Sequence, residues 1–363
     1  MANDSLDKAR KEINEIDKEM AELFVRRMEA AKVVAEYKKE RGLAILDQVR
    51  EEQVIRQNSN YVEDEELREF YVNFIQNTMA VSRSYQSRLM EGMKVAYSGT
   101  EGAFAHIASC ILYPTAQKKA YSDFTEAYRA VESGECDIAI LPVENSYNGE
   151  VGQVTDLMFS GSLYVNGMFD LPITQDLLAK EGTAIDDIKE VVSHPQAFGQ
   201  CREYIERHGF IRHEFANTAL AARWVAENSD KSVAAIGSRE AAKIFGLTVI
   251  DHDINESKSN STRFAIFSRT ANKRIVKDSG VHSILLFTVR NEAGALAKAI
   301  DVIGQYGFNM RTLRSRPMKE LLWQYYFYVE VEGNVQSEVG SSLLESLGEF
   351  CDRLKFAGTY IKL

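Results

Sequence analysis

The sequence is poor in proline, cysteine and histidine, and each shortage narrows the kind of protein that it encodes. Five prolines in 363 residues, with 45% hydrophobic residues, predict two or three folded domains without a long disordered tract. The four cysteines and six histidines show neither metal-ligand nor redox spacing. We therefore expect no metal centre, and a reduced, cytoplasmic protein.

Basic blocks, signal segments and long apolar runs are also missing. A formal net charge of -10 and an isoelectric point near 5.3 argue against a nucleic-acid partner. Residues 1–6 lack the charged-then-apolar pattern of a signal peptide, and no apolar run approaches membrane-spanning length. We expect no nucleic-acid or membrane partner, and any cationic site must be local.

Three hydrophobic patterns follow one another along the chain. The sequence predicts a multidomain protein with an all-α helical N-terminal domain (1–90), a two-lobed α/β middle domain (93–270) and a C-terminal βαββαβ ferredoxin-like domain (281–363). A polar, basic stretch at 273–278 joins the last two. Strands are predicted at 94–97, 137–143, 163–171, 190–193, 211–215, 233–236 and 263–268, and in the last domain at 283–289, 309–314, 323–331 and 356–361, with helices at 294–306 and 336–349.

The first predicted helix, 4–41, carries two cations on its apolar stripe. Arg27 and Lys38 occupy positions of a stripe that also includes Ile16 and Leu23. Burying an unpaired charge costs several kcal/mol, so these side chains either extend their charged ends to water or hold an anion between them. The helix alone leaves both interpretations open.

A similar mixture recurs further along the helical domain. Ser82 and Gln86 lie one turn apart on the stripe of a helix at 67–90, and Asp47, Arg50 and Glu51 lie on a helix between the two. Polar groups that converge on an apolar interior predict a small closed site for a polar, anionic ligand. Ordinary salt bridges are the alternative.

The length of the first helix predicts a dimer. At about 55 Å it is too long for ninety residues to cover, so it needs a partner helix. Arg27 and Lys38 lie about 16 Å apart along the axis, close enough for two long side chains to meet around one ligand. Arg10 lies about 25 Å beyond Arg27 and most simply serves the site of an antiparallel second copy.

In the middle domain, polar segments follow the predicted strands. The segments at 97–102, 141–146, 193–200 and 260–264 place amides, hydroxyls and one arginine at edges where α/β clefts bind ligands. Each segment alone also fits capping and turn chemistry. A cysteine hydrolase built on Cys201 and nearby histidines is an alternative, but Cys201 is predicted inside a helix, as a buried structural thiol.

Several motifs resemble those of one enzyme family over nearly the whole chain. Residues 144–146, 194–196 and 262–264 read Glu-Asn-Ser, His-Pro-Gln and Thr-Arg-Phe, as in prephenate dehydratases. Residues 1–90 resemble the all-helical chorismate mutase domain, and 281–363 resemble the ACT regulatory domain of those dehydratases. The sequence thus resembles the bifunctional chorismate mutase/prephenate dehydratases, which make phenylpyruvate for phenylalanine synthesis.

The resemblance implies a role for each candidate residue in the two reactions. For the mutase, Arg27 and Arg10 of the partner subunit would hold the chorismate carboxylates, Lys38 and Gln86 would donate to the ether oxygen, Glu51 would bind the ring hydroxyl, and Asp47, Arg50 and Ser82 would support the pocket. For the dehydratase, Thr262 would act as acid or hydrogen-bond donor on prephenate, Arg263 would anchor a carboxylate, and Asn145, Ser193 and Gln200 would orient the substrate. Neither reaction needs a metal or redox cofactor.

The resemblance also implies that phenylalanine binds the C-terminal domain and lowers dehydratase activity. The motif Gly294-Ala295-Leu296 is followed by alanine where the family has valine, and Arg314-Ser315-Arg316-Pro317 begins with arginine where the family has glutamate. Arg314 therefore reverses a charge beside the expected effector pocket, which predicts a weaker contact with the effector ammonium group.

Three other functions compete with this interpretation. A periplasmic-type binding protein would share a two-lobed middle domain but should bring a signal peptide. A mutase fused to prephenate dehydrogenase needs a glycine-rich dinucleotide turn, which is absent from the sequence. A purely regulatory ACT protein would show no turnover.

Overall fold

The computed structural model describes residues 2–228, 230–257, 259–273, 280–318 and 324–363, in two compact units, 1–93 and 94–363. The first unit contains the helices α1 Ala2–Arg41, α2 Gln48–Ser59 and α3 Glu65–Glu91. Gly42 ends α1 with a φ of 62°, a left-handed conformation that glycine adopts without strain. Asp47 caps α2, because its carboxylate accepts a hydrogen bond from the Arg50 backbone N at 3.0 Å. The three predicted helices are confirmed.

The helical unit has a small core in the single chain. Among its described residues, the buried apolar side chains are those of Ala31, Ala35 and Met79. The amino-terminal half of α1, in contrast, leaves its large apolar side chains between 41% and 58% exposed, namely those of Leu6, Ile13, Ile16, Met20 and Leu23. The stripe that predicted a partner helix is therefore uncovered in one chain.

The second unit begins with two lobes, and the chain passes from one lobe to the other twice. The first lobe contains β1 Lys94–Ser98, α4 Phe104–Leu112, β2 Gln117–Tyr121, α5 Phe124–Glu132, β3 Ile138–Asn145, β4 Gly149–Glu150, α6 Gly152–Ser160 and β5 Tyr164–Pro172. The second lobe contains β6 Asp176–Ala179, a 3-10 turn Ile185–Asp187, β7 Glu190–Ser193, α7 Pro195–Gln200, α8 Arg202–His208, β8 Ile211–Glu214, α9 Thr218–Asn228, β9 Val233–Gly237, α10 Arg239–Phe245 and β10 Thr248–Asp251.

Strand β11, Ser261–Ser268, returns to the first lobe and completes its sheet. The strand order in that sheet is β2-β1-β3-β11-β5, with β4 beside β3, and the second lobe has the order β10-β6-β9-β7-β8. The two crossings lie side by side, since Ile254 N donates to Gln175 O at 2.8 Å and Ile173 N donates to Asn260 O at 2.9 Å. A cleft lies where the carboxyl ends of β1 and β7 face each other.

The last part of the second unit has the predicted order of elements. It contains β12 Val281–Val289, α11 Ala295–Gln305, β13 Met310–Pro317, β14 Tyr325–Glu332, α12 Glu338–Gly348 and β15 Cys351–Ile361, with the antiparallel strand order β13-β14-β12-β15. Alternate residues of β12 face opposite sides. Ile284 and Leu286 join the core of the first lobe, whereas Leu285 and Phe287 pack under α11 and α12. The C-terminal sheet therefore has two buried faces.

Four strands, β2, β4, β6 and β10, were not predicted. Strand β2 carries Lys118 and Lys119 at the edge of its sheet, and the other three have four residues or fewer. Strand β15 begins at Cys351 rather than at 356. Trp323, the first residue of the predicted strand at 323–331, lies outside the described residues, as does 274–278 of the predicted linker. In the described part of the chain, no helix is long and apolar enough to cross a membrane.

Candidate active sites

In the helical unit, Arg27 joins α1 to α3. Its Nη1 donates to the backbone O of Thr78 at 3.3 Å and to the hydroxyl of Ser82. The side chain is partly buried, and burial lowers the pKa of Arg27. One turn further along α3, Gln86 is buried, and its Oε1 has no hydrogen-bond partner among the described residues. The structure thus brings Arg27, Ser82 and Gln86 to one face between two helices.

The other candidate residues of this unit make contacts of their own, apart from those of Arg27. Lys38 donates to the backbone O of Ile45 in the loop after α1. Glu51 forms an ion pair with Arg83 of α3, a residue that the sequence analysis missed although it follows Ser82 directly. Asp47 and Arg50 are exposed at the start of α2. Arg83 therefore fixes the position of the Glu51 carboxylate.

Arg10 stands apart from the other candidate residues of its own chain. Its side chain is 69% exposed, and Asp7 lies 4.0 Å from it on the same helix. Arg10 and Arg27 are separated by about 25 Å along α1, which exceeds the reach of two side chains. Within one chain, the structure does not bring Arg10 to Arg27.

In the second unit, the largest set of candidate residues lines a cleft of about 680 Å³ between the lobes. The polar residues that line it come from the ends of strands and the starts of helices in both lobes: Ser98, Thr100, Ser122, Asp123, Asn145, Gln153 and Thr262 from the first lobe, and Gln175, His194, Gln196, Gln200, Asn217 and Thr218 from the crossing and the second lobe. Apolar walls formed by Phe104, Phe124 and Phe264 complete it. This volume suits a small organic ligand.

A fixed hydrogen bond joins Asn145 to Thr262 in this cleft. Asn145 Oδ1 accepts from the backbone N of Tyr147 and of Asn148, both at 3.0 Å, so its amide nitrogen must point the other way. Asn145 Nδ2 donates to Thr262 Oγ1 at 2.9 Å and to Asn260 Oδ1 at 3.0 Å. Because Thr262 Oγ1 accepts this bond, its hydroxyl proton is available to a ligand. The geometry makes Thr262 a hydrogen-bond donor aimed at the cleft.

Gln200 lines the cleft together with Gln175, which the sequence analysis missed. Gln175 Nε2 donates to Gln200 Oε1 at 3.2 Å, and both side chains are buried. Gln175 Oε1 has no partner among the described residues. The Gln175 backbone is held by Asn255, whose Oδ1 accepts from Gln175 N at 3.0 Å. No motif marks Gln175, which directly precedes β6, a strand that the sequence did not predict.

Ser193, expected to orient the substrate, does not line the cleft. Its hydroxyl donates to the backbone O of Ile236 at 2.6 Å, and the residue is fully buried between β7 and β9. The next residue, His194, does line the cleft, and its Nδ1 accepts from the backbone N of Gln196 at 3.2 Å. Successive residues of an extended segment point to opposite sides, which explains why His194 rather than Ser193 lines the cleft.

Arg263, expected to anchor a carboxylate of the substrate, also points away from the cleft. It lies on the opposite face of β11 from Thr262, where its Nε donates to Asp170 Oδ1 at 2.8 Å. This hydrogen bond raises the pKa of Arg263 and lowers the pKa of Asp170. Among the described residues that line the cleft there is neither lysine nor arginine. Carboxylates in the cleft must therefore bind to hydroxyls, amides and backbone N–H groups.

Cys201 occupies a different place from the one predicted. It lies at the junction of α7 and α8 rather than inside a helix, and its side chain is fully buried. Burial raises the pKa of the Cys201 thiol to about 12, so the thiol stays protonated and unreactive near neutral pH. A hydrolase mechanism through Cys201 has no support in this geometry.

The residues expected to bind the effector do not all lie in one pocket. Gly294 precedes α11 with a φ of 83°, Ala295 begins the helix, and Leu296 lines a pocket of about 430 Å³. Arg316 and Pro317 line an adjoining pocket of about 420 Å³. Residues Met318 and Arg353 line both pockets, whereas Ser315 is exposed on the other side of β13.

Arg314 lines neither of these pockets. Its guanidinium donates instead to Glu144, on strand β3 of the first lobe. The charge of Arg314 is therefore not beside the expected effector pocket, and the predicted weakening of an ammonium contact has no basis in this structure.

Both parts of the chain are similar to known proteins. Residues 9–87 match the family model described as chorismate mutase type II, and residues 95–272 match the model described as prephenate dehydratase. A bifunctional chorismate mutase/prephenate dehydratase from Aquifex aeolicus is 30% identical, over 99% of this chain and 98% of that protein.

Two solved structures share the fold over about three quarters of the chain. The prephenate dehydratase of Arthrobacter aurescens, solved in complex with L-Phe, is 26% identical with a TM-score of 0.68, over 74% of this chain and 90% of that chain. GqqA, described as a novel type of quorum quenching acylase, is 28% identical with a TM-score of 0.69, over 74% of this chain and 98% of that chain.

Proposed function

Since the chain belongs to the family of bifunctional chorismate mutase/prephenate dehydratases, we propose that its helical unit rearranges chorismate and that the cleft between its lobes converts prephenate to phenylpyruvate. The protein is an enzyme of phenylalanine biosynthesis with both activities. The observation that carries the assignment of the dehydratase site is the hydrogen bond from Asn145 Nδ2 to Thr262 Oγ1, inside the cleft.

In the mutase reaction, the substrate rearranges without covalent help from the protein. Chorismate is a dicarboxylate, and the enzyme must hold it in the reactive conformer and stabilise charge on the breaking ether bond. Arg27 binds one carboxylate, and Lys38 and Gln86 donate to the ether oxygen. Glu51, positioned by Arg83, binds the ring hydroxyl. The buried and unpaired Gln86 Oε1 supports a ligand at this place.

The mutase site requires a second copy of the chain. The uncovered stripe on α1 and the exposed Arg10 support a dimer in which α1 of each copy lies along the other. Arg10 of the partner subunit then binds the second carboxylate.

In the dehydratase reaction, prephenate loses its ring carboxylate and its 4-hydroxyl group together. The electrons of the breaking C–C bond enter the ring, carbon dioxide leaves, and the C–O bond breaks with departure of the hydroxyl as water once it gains a proton. Thr262 donates a hydrogen bond to that leaving oxygen. Because lysine and arginine are missing among the described residues of the lining, no cation there stabilises the ring carboxylate against its loss.

The first test measures the two reactions separately, in the wild type and in variants of Thr262. The purified chain should convert chorismate, and also prephenate supplied directly, to phenylpyruvate. Thr262→Ala removes a hydroxyl and little volume, so prephenate turnover should fall by at least about 100-fold while chorismate still disappears at the wild-type rate. Thr262→Ser keeps the hydroxyl and should retain much of the turnover. Near-normal turnover by the alanine variant would show that Thr262 is not the essential donor.

We also propose that phenylalanine binds the pocket beside Leu296 and inhibits the dehydratase. The support is that pocket and the Arthrobacter aurescens dehydratase solved with L-Phe. Gly294 precedes α11 at a φ that valine adopts only with strain, so Gly294→Val should distort the loop and abolish both binding and inhibition. Calorimetric titration with phenylalanine and a parallel turnover assay test this. Absence of binding to wild type at millimolar phenylalanine contradicts the proposal, and unchanged inhibition of the variant places the site elsewhere.

A further inference from the structure

Strands β3 and β11 carry the Asn145–Thr262 pair to the cleft and place the adjacent residues on the other face of the sheet. The strands are antiparallel, with Thr262 opposite Asn145 and Arg263 opposite Glu144. Neighbouring residues on a strand point to opposite faces, so Glu144 and Arg263 lie directly behind the cleft pair. That rear face is the one that the C-terminal sheet covers.

An ion network crosses from the C-terminal sheet to these two residues. Arg314 of β13 donates to Glu144 Oε1, and Arg263 Nη1 lies 3.8 Å from Glu144 Oε2. Arg263 in turn makes two hydrogen bonds to Asp170 of β5, at 2.8 and 3.3 Å. The charges alternate along this path, from Arg314 through Glu144 and Arg263 to Asp170. One continuous network therefore links β13 to three adjacent strands of the first lobe.

The network is partly buried, and its outer member, Asp170, is 44% exposed. The side chains of Arg314, Glu144 and Arg263 are 29%, 31% and 25% exposed. Together with Tyr328 and Glu330 of β14 they enclose about 10 Å³ of free space, the lower limit for a single water molecule. Removal of Arg314 takes away the hydrogen-bond donor of Glu144 and leaves that carboxylate with Arg263 alone, 3.8 Å away. Loss of Arg314 would make Glu144 and Arg263 change position.

We propose that Glu144 and Arg263 are positioning residues of the dehydratase reaction, and that Arg314 holds them so that Asn145 stays hydrogen-bonded to Thr262. This inference rests on the proposed role of Thr262. A movement of Glu144 or Arg263 displaces the strand backbone one residue away from the reacting groups. Displacements of about 1 Å at such groups lower turnover by up to about 100-fold. The β11 pairing with β3 is already irregular between Arg263 and Phe264, where a strand bends most easily.

The test measures kcat and KM for prephenate in single and double variants. Arg314→Ala and Glu144→Gln should each lower kcat by about tenfold or more, with KM changed less than about threefold. Because both act through one network, the double variant should be no slower than the slower single variant. Arg314→Lys keeps the positive charge and a donor for the hydrogen bond to Glu144. It should therefore recover most of the turnover that Arg314→Ala loses.

A matched control is available on the same strand. Arg311 also lies on β13, but it pairs at 2.9 Å with Glu332 of the same sheet and is 54% exposed. Arg311→Ala should leave kcat unchanged, and melting temperatures of all variants verify that they are folded. Wild-type kcat in Arg314→Ala, or effects that multiply in the double variant, would overturn the inference.

Thr262→Ala, assayed beside these variants, separates the two possible failures. If Thr262→Ala is inactive while Arg314→Ala turns over normally, only the network inference fails. If Thr262→Ala itself turns over normally, the proposed role of Thr262 fails first.

Discussion

At the residue scale, one half-buried lysine, Lys355, gives the second unit a pH dependence. Lys355 of β15 donates to the backbone O of Met158 and of Gly161, and burial lowers its pKa from 10.5 to about 8. Below pH 8 the Lys355 amine is charged in both the folded and the unfolded chain, and desolvation of this charge destabilises the folded chain. Between pH 8 and 10.5 the unfolded chain binds more protons, so this group makes the folded state increasingly stable as pH rises.

The contribution of Lys355 is measured as the difference in melting temperature between the wild type and Lys355→Met. Lys355→Met removes the titrating group and keeps a side chain of similar length. We expect the melting temperature of wild type to rise relative to that of the variant between pH 8 and 10.5, measured by circular dichroism at half-unit steps. Other groups titrate in both proteins and cancel in the difference. A difference that stays constant over this range contradicts the assignment.

The sequence predicts which segments reach the cleft better than it predicts the orientation of single side chains. Its motifs correctly identified Asn145, Gln200 and Thr262 as residues that the fold brings to one cleft. They did not distinguish Thr262 from Arg263, although the alternation of side chains on a strand requires opposite orientations. Gln175 and Arg83 could not be predicted, because their places follow from tertiary contacts with Gln200 and Glu51.

At the scale of elements, the long segments were predictable, whereas only some of the short strands were. The helices α1 and α3 and the long strands of the first lobe and of the C-terminal sheet carry enough apolar repeats to be recognised. Of the four-residue strands in the second sheet, β7 and β8 were predicted, whereas β6 and β10, which pair with each other at its end, were not. Their stability comes from pairing within the fold, and a sequence window does not contain that information.

A close approach of two strands provides a test at this scale. Strand β15 passes over β5 at Gly358, which has a φ of 140°. A Cβ atom there would lie 2.1 Å from the Val165 backbone O and 2.7 Å from its N. Neither backbone atom can move without breaking sheet pairing. Gly358→Ala should therefore destabilise the protein by roughly 3 kcal/mol or more, through steric overlap and an unfavourable φ.

The matched control for Gly358→Ala is another glycine in the same domain. Gly304 is exposed near the end of α11, and a Cβ atom there meets nothing within 4 Å. Gly304→Ala should leave stability unchanged or raise it by at most about 1 kcal/mol. Chemical denaturation of both variants measures these differences. Equal stability of the two variants would contradict the proposed overlap between β15 and β5.

At the scale of the whole molecule, the C-terminal sheet is part of the first lobe's core rather than an appendage. Tyr326 stacks on Phe159 with ring centroids 4.3 Å apart, and Ile284 and Leu286 join the same buried cluster. The backbone N of Leu363 donates to Met168 O at 2.9 Å beside β5. A change in this sheet therefore has a direct physical path to β3, β5 and β11, the strands that carry the dehydratase residues.

For the helical unit, we propose a site shared with a second chain, and mixing variants tests this directly. If Arg10 of one copy completes the site that contains Lys38 of the other, Arg10→Ala and Lys38→Ala are each inactive as pure dimers. In a mixed dimer both substitutions fall in one site, and the other site is intact. Random exchange makes half of the dimers mixed, and each has one working site. Mutase activity should therefore recover to about a quarter of the wild-type value.

A second mixture provides the control for this recovery. Lys38→Ala and Arg27→Ala remove groups that belong to the same copy's half of the site, so a mixed dimer has no intact site and should stay inactive. Subunit exchange is verified by resolving differently tagged mixed dimers before the assay. Recovery in the first mixture but not in the second requires a site shared between copies, because no arrangement within one chain brings Arg10 to Arg27 along the rigid α1 helix. Absence of recovery after verified exchange would show that Arg10 has no part in the partner's site.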